Sequence, residues 1–491
     1  MSFRPLLLAT LSAAVLTACA SFEGFAPRAG LDDTNRLATG TTLAGTSAAT
    51  AAWPVTNWWS AFGDAQLDRL MDEALAASPS LRIARARLDR ANAVAGLADA
   101  ARMPQVTGNA TSTNQRFSEN GQVPPPLAGS TKTSNRAALD FSYELDFWGK
   151  NAAAFESAVG NVRAAEAEAQ QARLLLSSAL ARSYIQLQRE YEQQDIAEAL
   201  LQQRRQLQDL TERRVHAGLD TAVELQQASA AIPVTEAELA AIHERQALIR
   251  NQIAALLGAG PDRGLAIERP KVDVTQTLAL PSVLPAELIG RRPDVVAQRW
   301  RVEAAAKDID VAKAQFYPNV NLVAFDGFQS IGLGHFLDAG SRIAGAGPAI
   351  SLPIFEGGRL RSQLAARDAD YDAAAEQYNA TLVEALRDVA DQVASWRAID
   401  TQLEQSRTAL GRLDEAYRLA TLRYREGLST YLTVLSVEAQ VLGQRRQVAD
   451  LEARKRDTAV GLARALGGGF QPDTLPPPSQ TSQTTRTPAA A

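Results

Sequence analysis

The sequence predicts an internally duplicated α+β membrane protein in which four strands are carried by two very long helical hairpins. Three observations predict it. Landmarks recur in order at near-constant offsets along most of the chain. A period of two runs through Leu139, Phe141, Tyr143, Leu145 and Phe147. Two proline-free helical stretches run from Asn151 to Val215 and from Arg359 to Arg425. The first marks a repeat, the second a strand with one apolar face, the third a coiled coil.

The N-terminus comes first in chain order. Arg4 precedes a mostly apolar run from Leu6 to Leu16, which leads into Leu16-Thr17-Ala18-Cys19. The run is too short to span a bilayer and reads as an export signal over residues 1–18. Cys19 is the single cysteine of the chain, so no intrachain disulfide can form. Its place at the cleavage point reads as a lipobox, with an N-acyl diacylglycerol carried on Cys19. Ala20 and Ser21 follow, with no Asp to retain the lipoprotein in the inner membrane, so sorting to the outer membrane is expected. Residues 19–60 form an Ala, Thr and Gly-rich arm. No later stretch reaches the roughly 18 apolar residues of a membrane helix, so any crossing must use strands in a closed barrel.

Composition narrows the function. The chain is 46% hydrophobic and 21% charged, enough for a large core, and its net charge of -5 holds no basic surplus for nucleic acid. His216, His243 and His335 lie far apart, and none has a second histidine or cysteine at metal-ligand spacing. No cofactor is expected beyond the lipid. A nucleophile elbow, phosphate loop or histidine–carboxylate cluster is missing, so the chain does not read as an enzyme.

The first repeat spans 61–270 and the second 271–468. Pro79 opens a helical run ending at Met103-Pro104-Gln105-Val106; Pro293 opens one ending at Tyr317-Pro318-Asn319-Val320. The stretch Leu67 to Arg102 reads as helical throughout, and Pro104, which cannot donate to a helix ladder, stops it. Incoming strands begin at Gln105 and Asn319. Outgoing strands are the alternating run at Leu139–Phe147 and its mate from about Ile343 to Ile354. Gly, Ser, Asn and Pro-rich loops lie at about 116–134 and 330–341. The long helices follow, each about 100 Å at 1.5 Å per residue. In the second, apolar residues from Tyr378 to Tyr424 recur at the coiled-coil period. Ala217-Gly218-Leu219 matches Glu426-Gly427-Leu428, and Leu257-Gly258 matches Leu466-Gly467. Residues 469–491 read as a disordered tail, rich in Pro, Ser and Thr.

Four strands cannot close a barrel, and an open edge is not tolerated in lipid. Two copies give eight strands, filled by side chains; three give twelve, wide enough for a passage. For a conduit the arithmetic favours a homotrimer.

Three motifs carry a resemblance. They are Arg291-Arg292-Pro293-Asp294 to Ala304 with Phe316-Tyr317-Pro318-Asn319, Trp58-Trp59 with Phe62-Gly63-Asp64, and Tyr424-Arg425-Glu426-Gly427-Leu428-Ser429-Thr430-Tyr431-Leu432. Over about residues 53–468 the chain resembles the TolC-type outer-membrane efflux ducts, in their lipoprotein branch. The resemblance implies a trimer with a twelve-stranded transmembrane β-barrel, four strands per chain, continued by a long periplasmic α-helical coiled-coil barrel. It also implies a periplasmic adaptor and an inner-membrane pump of resistance-nodulation-division or major-facilitator type. The run Gln298 to Glu303 leans toward the major-facilitator and aromatic-acid subgroup. Such ducts are passive exits for drugs or small toxic organics. A type I protein-secretion duct and a purely structural periplasm-spanning lipoprotein are the alternatives.

Two glycine turns, Gly218-Leu219-Asp220-Thr221 and Gly427-Leu428-Ser429-Thr430, sit where the antiparallel helices reverse. They are expected to dock the adaptor. The resemblance places a periplasmic gate beside them: Glu224 matches a pore-facing acid and Tyr424 a tyrosine of the closing network. In the second repeat the usually acidic positions hold Thr433 and Ser436, and the usual arginine after the glycine is Ser429. Arg425, Arg213 or Arg214 could supply that charge. Arg291–Asp294 and the tryptophan pair read as structural.

Overall fold

The computed structural model describes residues 26–32, 37, 53–273 and 290–471. The export signal, Cys19 and the tail beyond Gln471 lie outside the described residues.

A 3-10 turn, Trp58–Phe62, leads into helices α1 (Ala65–Ala77) and α2 (Pro79–Ala100). The expected single helix from Leu67 is therefore two. Ser78 takes an extended conformation, and Pro79 starts α2 at a first-turn position where its missing N–H costs nothing. Strands β1 (Gln105–Arg116) and β2 (Thr131–Leu145) follow, then helices α3 (Lys150–His216), α4 (Ala222–Leu256) and the single turn α5 (Asp262–Leu265). The second repeat gives α6 (Pro293–Ala314), β3 (Asn319–Ile331), β4 (Arg342–Ser351), α7 (Arg359–Arg425) and α8 (Tyr431–Ala465). Equivalent helices match residue for residue: 22 in α2 and α6, 67 in α3 and α7, 35 in α4 and α8. Both incoming strands start where the sequence predicts. β2 begins eight residues earlier than its alternation suggests (131 against 139), and the first strand-to-strand loop is the longer of the two.

The strands form one antiparallel sheet in the order β1-β2-β3-β4, so the repeats join through β2 and β3. Cross-strand partners share a face. One face carries Val106, Phe141, Tyr143, Leu145, Val320, Leu322, Ala324, Ala346 and Ile350. Its charges, Asp326 with Arg342 at 3.1 Å and Arg116, fall toward the loop end. The other face is mainly polar, with Thr107, Asn109, Arg136, Asp140, Ser142, Glu144 and Asn321. β1 and β4 leave both edges open. At the opposite end, where strands hand over to helices, Trp148 stacks on Tyr317 at 4.6 Å and donates to the Pro318 carbonyl, and Phe147, Ile354 and Phe355 are exposed.

The main core lies midway along the helices. Trp58, Trp59, Phe62, Leu67, Leu70 and Met71 pack on Leu180, Tyr184 and Leu187 of α3, on Ile253 of α4 and on Leu257, which caps the end of α4. Asp64 organises its edge: it caps α1 by accepting from the Gln66 and Leu67 amides, and it accepts from the Tyr184 hydroxyl and the Lys271 amide. Burial pushes the Tyr184 hydroxyl well above its ordinary value. Arg292 is the matching hub of the second repeat. It is buried, clamps Asp294 and Asp388, and reaches the carbonyls of Ala385 and Ala465. It thus joins the start of α6 to α7 and to the end of α8, the structural part expected of Arg291–Asp294. The packed chain runs on to Phe470, buried against Ala167, Val296 and Ala297, so the expected tail boundary at 469 falls too early.

The two repeats differ in one packing respect. α6 lies between α3 and α7, whereas α2 packs on α3 and leaves Ile83, Val94 and Leu97 exposed. The N-terminal arm runs along α7: Asp372 accepts from the Arg28 and Ala29 amides, and Asn379 accepts from Asp32 and donates to Gly30.

Replacing Asp64 by Ala leaves the buried Tyr184 hydroxyl and Lys271 amide without their acceptor. Loss of about 2–4 kcal/mol is expected, against about 1–2 kcal/mol for Tyr184→Phe, which removes one of the four donors to Asp64 and the acceptor of Gln66 Nε2. Thermal unfolding followed by circular dichroism checks the order; equal losses contradict it.

Candidate functional site

Both hairpin tips are built alike, 209 residues apart. α3 ends with Gly218 in the left-handed region at φ 72°, and α7 ends with Gly427 at φ 75°. Leu219 N donates to Arg214 O at 2.9 Å, and Leu428 N donates to Arg423 O at 2.7 Å, closing each helix by the six-to-one bond that a left-handed glycine permits. Leu219, Val223, Leu428 and Leu432 are each more than 60% exposed, so each tip presents an apolar pair.

The first turn of the returning helix differs. Thr221 caps α4, and Glu224 completes a capping box by accepting from the Thr221 amide at 2.9 Å and from its hydroxyl. These bonds hold the Glu224 carboxyl below its usual value. At the equivalent place α8 has Thr433, whose hydroxyl lies 3.3 Å from that of Thr430 without forming a capping box, and Thr430 makes no side-chain cap. The acid expected at a gate thus also closes tip 1.

Above the tips a polar cluster joins the hairpins. Tyr424, buried at the end of α7, donates to Asp220 in the tip 1 turn and sits 3.1 Å from the Thr211 hydroxyl. Arg214 of α3 grips Asp220 through Nε at 2.8 Å, donates to the Tyr424 carbonyl at 2.8 Å and lies 4.5 Å from the centre of the Tyr424 ring. Arg425 adds only its carbonyl, at 3.5 Å from Arg214. Among the arginines considered from sequence, Arg214 is therefore the one in the cluster. Tyr431 packs beside Tyr424 at 5.9 Å, with Leu207, Ala228 and Val434 around them. The Arg214 guanidinium holds Asp220 below the ordinary carboxylate range, and Asp220 raises Arg214. Burial, then the bond to Asp220, pushes Tyr424 up to about 12.

Further ties climb the same seam. Arg204 of α3 donates to buried Glu438 of α8 at 3.0 Å and to Ala231 O and Thr235 of α4, so one guanidinium binds three helices. Arg189 pairs with Asp450 at 2.7 Å and Arg456 with Glu192 at 2.9 Å. Sequence reading missed Arg204 and Glu438. Their only signal is a basic and an acidic residue on inward helix positions, with partners more than 200 residues apart.

The profile described as outer membrane efflux protein matches residues 70–259 and 284–468. The fusaric acid resistance protein FusA of Burkholderia cepacia is 41% identical over 372 residues, covering 74% of this chain and 69% of that protein. The multidrug resistance outer membrane protein MdtP of Escherichia coli O6:H1 is 31% identical over 435 residues, covering 86% and 88%. Among solved structures, the outer membrane protein VceC of Vibrio cholerae superposes with a TM-score of 0.81 at 42% identity, over 85% of this chain and 100% of that one.

The cluster's pH range follows from its signs. A depressed Asp220 stabilises the tie above the ordinary carboxylate value, and the tie is lost as pH falls through the lowered one. A raised Tyr424 stabilises it below the ordinary phenol value, with loss as pH climbs toward about 12. Spin labels at Ala217 and Glu426 should therefore keep one narrow distance from about pH 9 down to about pH 4.5. Broadening already near pH 6 contradicts this.

Proposed function

The chain belongs to the outer membrane efflux protein family, and on that premise we propose how it forms and closes its conduit. It is the outer-membrane component of an efflux system and extends from that membrane into the periplasm. The observation that carries the proposed assembly is the sheet, apolar on one face, polar on the other, open at both edges and continuous with helices 67 residues long. Six residues separate the row of Leu145, Val320 and Ile350 from that of Leu139 and Asp326, about 20 Å of strand at ~3.4 Å per residue. At the ~40° tilt of barrel strands that is roughly 15 Å of height, the larger part of the ~25 Å apolar band of an outer-membrane barrel, and Trp148, Tyr317, Phe147 and Phe355 supply an aromatic girdle at its periplasmic rim.

Three copies close twelve strands, with β1 of one chain pairing β4 of the next. The open face of α2 supports this reading. In a duplicated chain α2 should bridge two long helices as α6 does, and the second one must come from a neighbouring copy. The apolar face then meets lipid and the polar face lines a passive aqueous path for drugs or small toxic organics, with no catalytic step.

Cys19 carries the lipid in this reading. Nine residues separate it from Arg28, a reach of at most about 30 Å. Asp372, which holds Arg28, lies 13 residues below the start of α7, roughly 20 Å along the helix. The tether can therefore reach the periplasmic leaflet.

Six tips ring the periplasmic mouth and dock a periplasmic adaptor that connects to an inner-membrane pump of resistance-nodulation-division or major-facilitator type. The residues Gly218, Leu219, Asp220 and Thr221, with Gly427, Leu428, Ser429 and Thr430, form the docking turns, supported by the exposed apolar pairs. The gate is the tie of Tyr424 to Asp220 and Arg214, with the Arg425 carbonyl beside it. Glu224 supplies a ring of three negative charges at the mouth.

The purified protein should behave as three chains and conduct in planar bilayers. Gly218→Trp and Gly427→Trp should keep both properties and abolish drug efflux in cells, because a side chain at positive φ deforms the tip; unaltered resistance counts against docking there. Glutamine also completes a capping box, so Glu224→Gln removes charge and keeps the turn. Its channels should prefer cations less than the parent, and equal preference rejects the charge ring.

A further inference from the structure

The polar face of the sheet carries one aromatic ring set among charges. Thr107, Asp140, Phe325 and Gly345 form a single register row across β1, β2, β3 and β4. Phe325 lies over Gly345 so closely that a Cβ there would come within 2.8 Å of two ring carbons. The glycine thus lets the ring lie across β4. Arg136, four residues along β2 from Asp140 and on the same face, has its guanidinium carbon 6.0 Å from the Phe325 centroid.

Hydrogen-bond capacity decides what such a row can bind. Asp140 accepts from Arg136 Nη2 at 2.7 Å, from Arg136 Nη1 at 3.2 Å and from Asn109 Nδ2 at 2.9 Å. Its two oxygens are engaged by donors on both sides. Arg136 spends two N–H groups on that carboxylate, and a guanidinium has five. The unused polar capacity of the row is donor capacity on a cation, beside a ring that is 40% exposed. A second carboxylate and a planar ring complement it, through a charge-assisted bond and stacking.

We propose that Arg136 and Phe325, with the ring seated over Gly345, form a weak binding ring for small aromatic carboxylates inside the barrel, and that Asp140 competes for the guanidinium. The inference rests on the conduit reading, in which this face lines the lumen and three copies of the row stand at one height. It gives the exit path a preference that a featureless tube lacks: aromatic anions dwell at the ring, while organic cations meet a guanidinium and pass.

Saturation-transfer NMR on the full-length, detergent-solubilised protein tests it, with benzoate as probe and benzylammonium and cyclohexanecarboxylate as controls. Benzoate should show saturable transfer, cyclohexanecarboxylate a weaker signal and benzylammonium none. Arg136→Gln should weaken benzoate binding about tenfold, the loss expected for one charge-assisted contact. Phe325→Leu should reduce benzoate to the level of cyclohexanecarboxylate. Asp140→Asn should act in the opposite direction and tighten benzoate, because it frees the guanidinium from its partner; damage to the fold cannot produce that gain. Equal transfer from benzoate and benzylammonium overturns the ring, as does weakening by both Arg136→Gln and Asp140→Asn. A protein that conducts as a trimer but ignores benzoate defeats the ring alone. A protein that neither trimerises nor conducts defeats the conduit reading beneath it.

Discussion

Backbone hydrogen bonding in hydrocarbon governs this molecule. Water is absent there, so each unpaired N–H or C=O of a lipid-exposed strand costs several kcal/mol. The sheet satisfies its interior strands and leaves the edges β1 and β4 open. Self-association removes those edges without adding any other strand. The same requirement reaches the helices. Each outgoing strand feeds a 67-residue helix directly, so a barrel of strands imposes a ring on the helices below. The helices then pack side by side along coiled-coil stripes, and the chain has its main core midway along them rather than at a globular centre.

Duplication gives the ring its regularity, and departures from duplication give it function. The paired helices are equal in length, so both tips reach the same level. At the tips themselves, the added interactions collect at tip 1. It holds the capping box of Thr221 and Glu224, and it holds Asp220, which takes the Arg214 and Tyr424 bonds. Tip 2 has Ser429 and Thr433 in the corresponding places and makes neither arrangement. Tip 1 thus carries both the capping box and the carboxylate of the tie, and the second hairpin contributes Tyr424 and the Arg425 carbonyl.

Much of this was readable in the sequence because it depends on local chemistry. Pro104 and Pro318 bar helix continuation, so the incoming strands start just after them. Gly218 and Gly427 fix the reversals, so the helix ends were placed within a residue. The break at Ser78 was not separated from the run around it, since proline in a first turn leaves the helical pattern intact on both sides. The first half of β2, Thr131 to Ala138, was missed for a different reason. It lacks apolar alternation and is held by pairing with β1 and β3, information that sits in other segments. The site shows the same division. The tip turns were legible from their glycines and Glu224 and Tyr424 were singled out through the family resemblance, but Arg214 became the charge at Tyr424 only when the fold brought residues 210 apart together. Glu224 was identified as an acid near a mouth, and the capping box is what its geometry adds.

The magnitudes at the tips bear on how such a conduit can be closed and yet reversible. A charge-assisted hydrogen bond contributes about 1.5–3 kcal/mol. In the gate proposed above, three copies of the Tyr424–Asp220–Arg214 tie would together hold the closed arrangement by several kcal/mol. Against this stand the exposed side chains Leu219, Val223, Leu428 and Leu432. Full burial of such a residue contributes about 1.5–3 kcal/mol, so covering their exposed parts contributes roughly 4–8 kcal/mol per chain. Association costs on the order of 4–15 kcal/mol for the whole complex and is shared by three chains. On the proposed reading, docking on the tips works against the tie, and because Asp220 belongs to both the proposed docking turn and the tie, the two meet at one residue rather than through a long path.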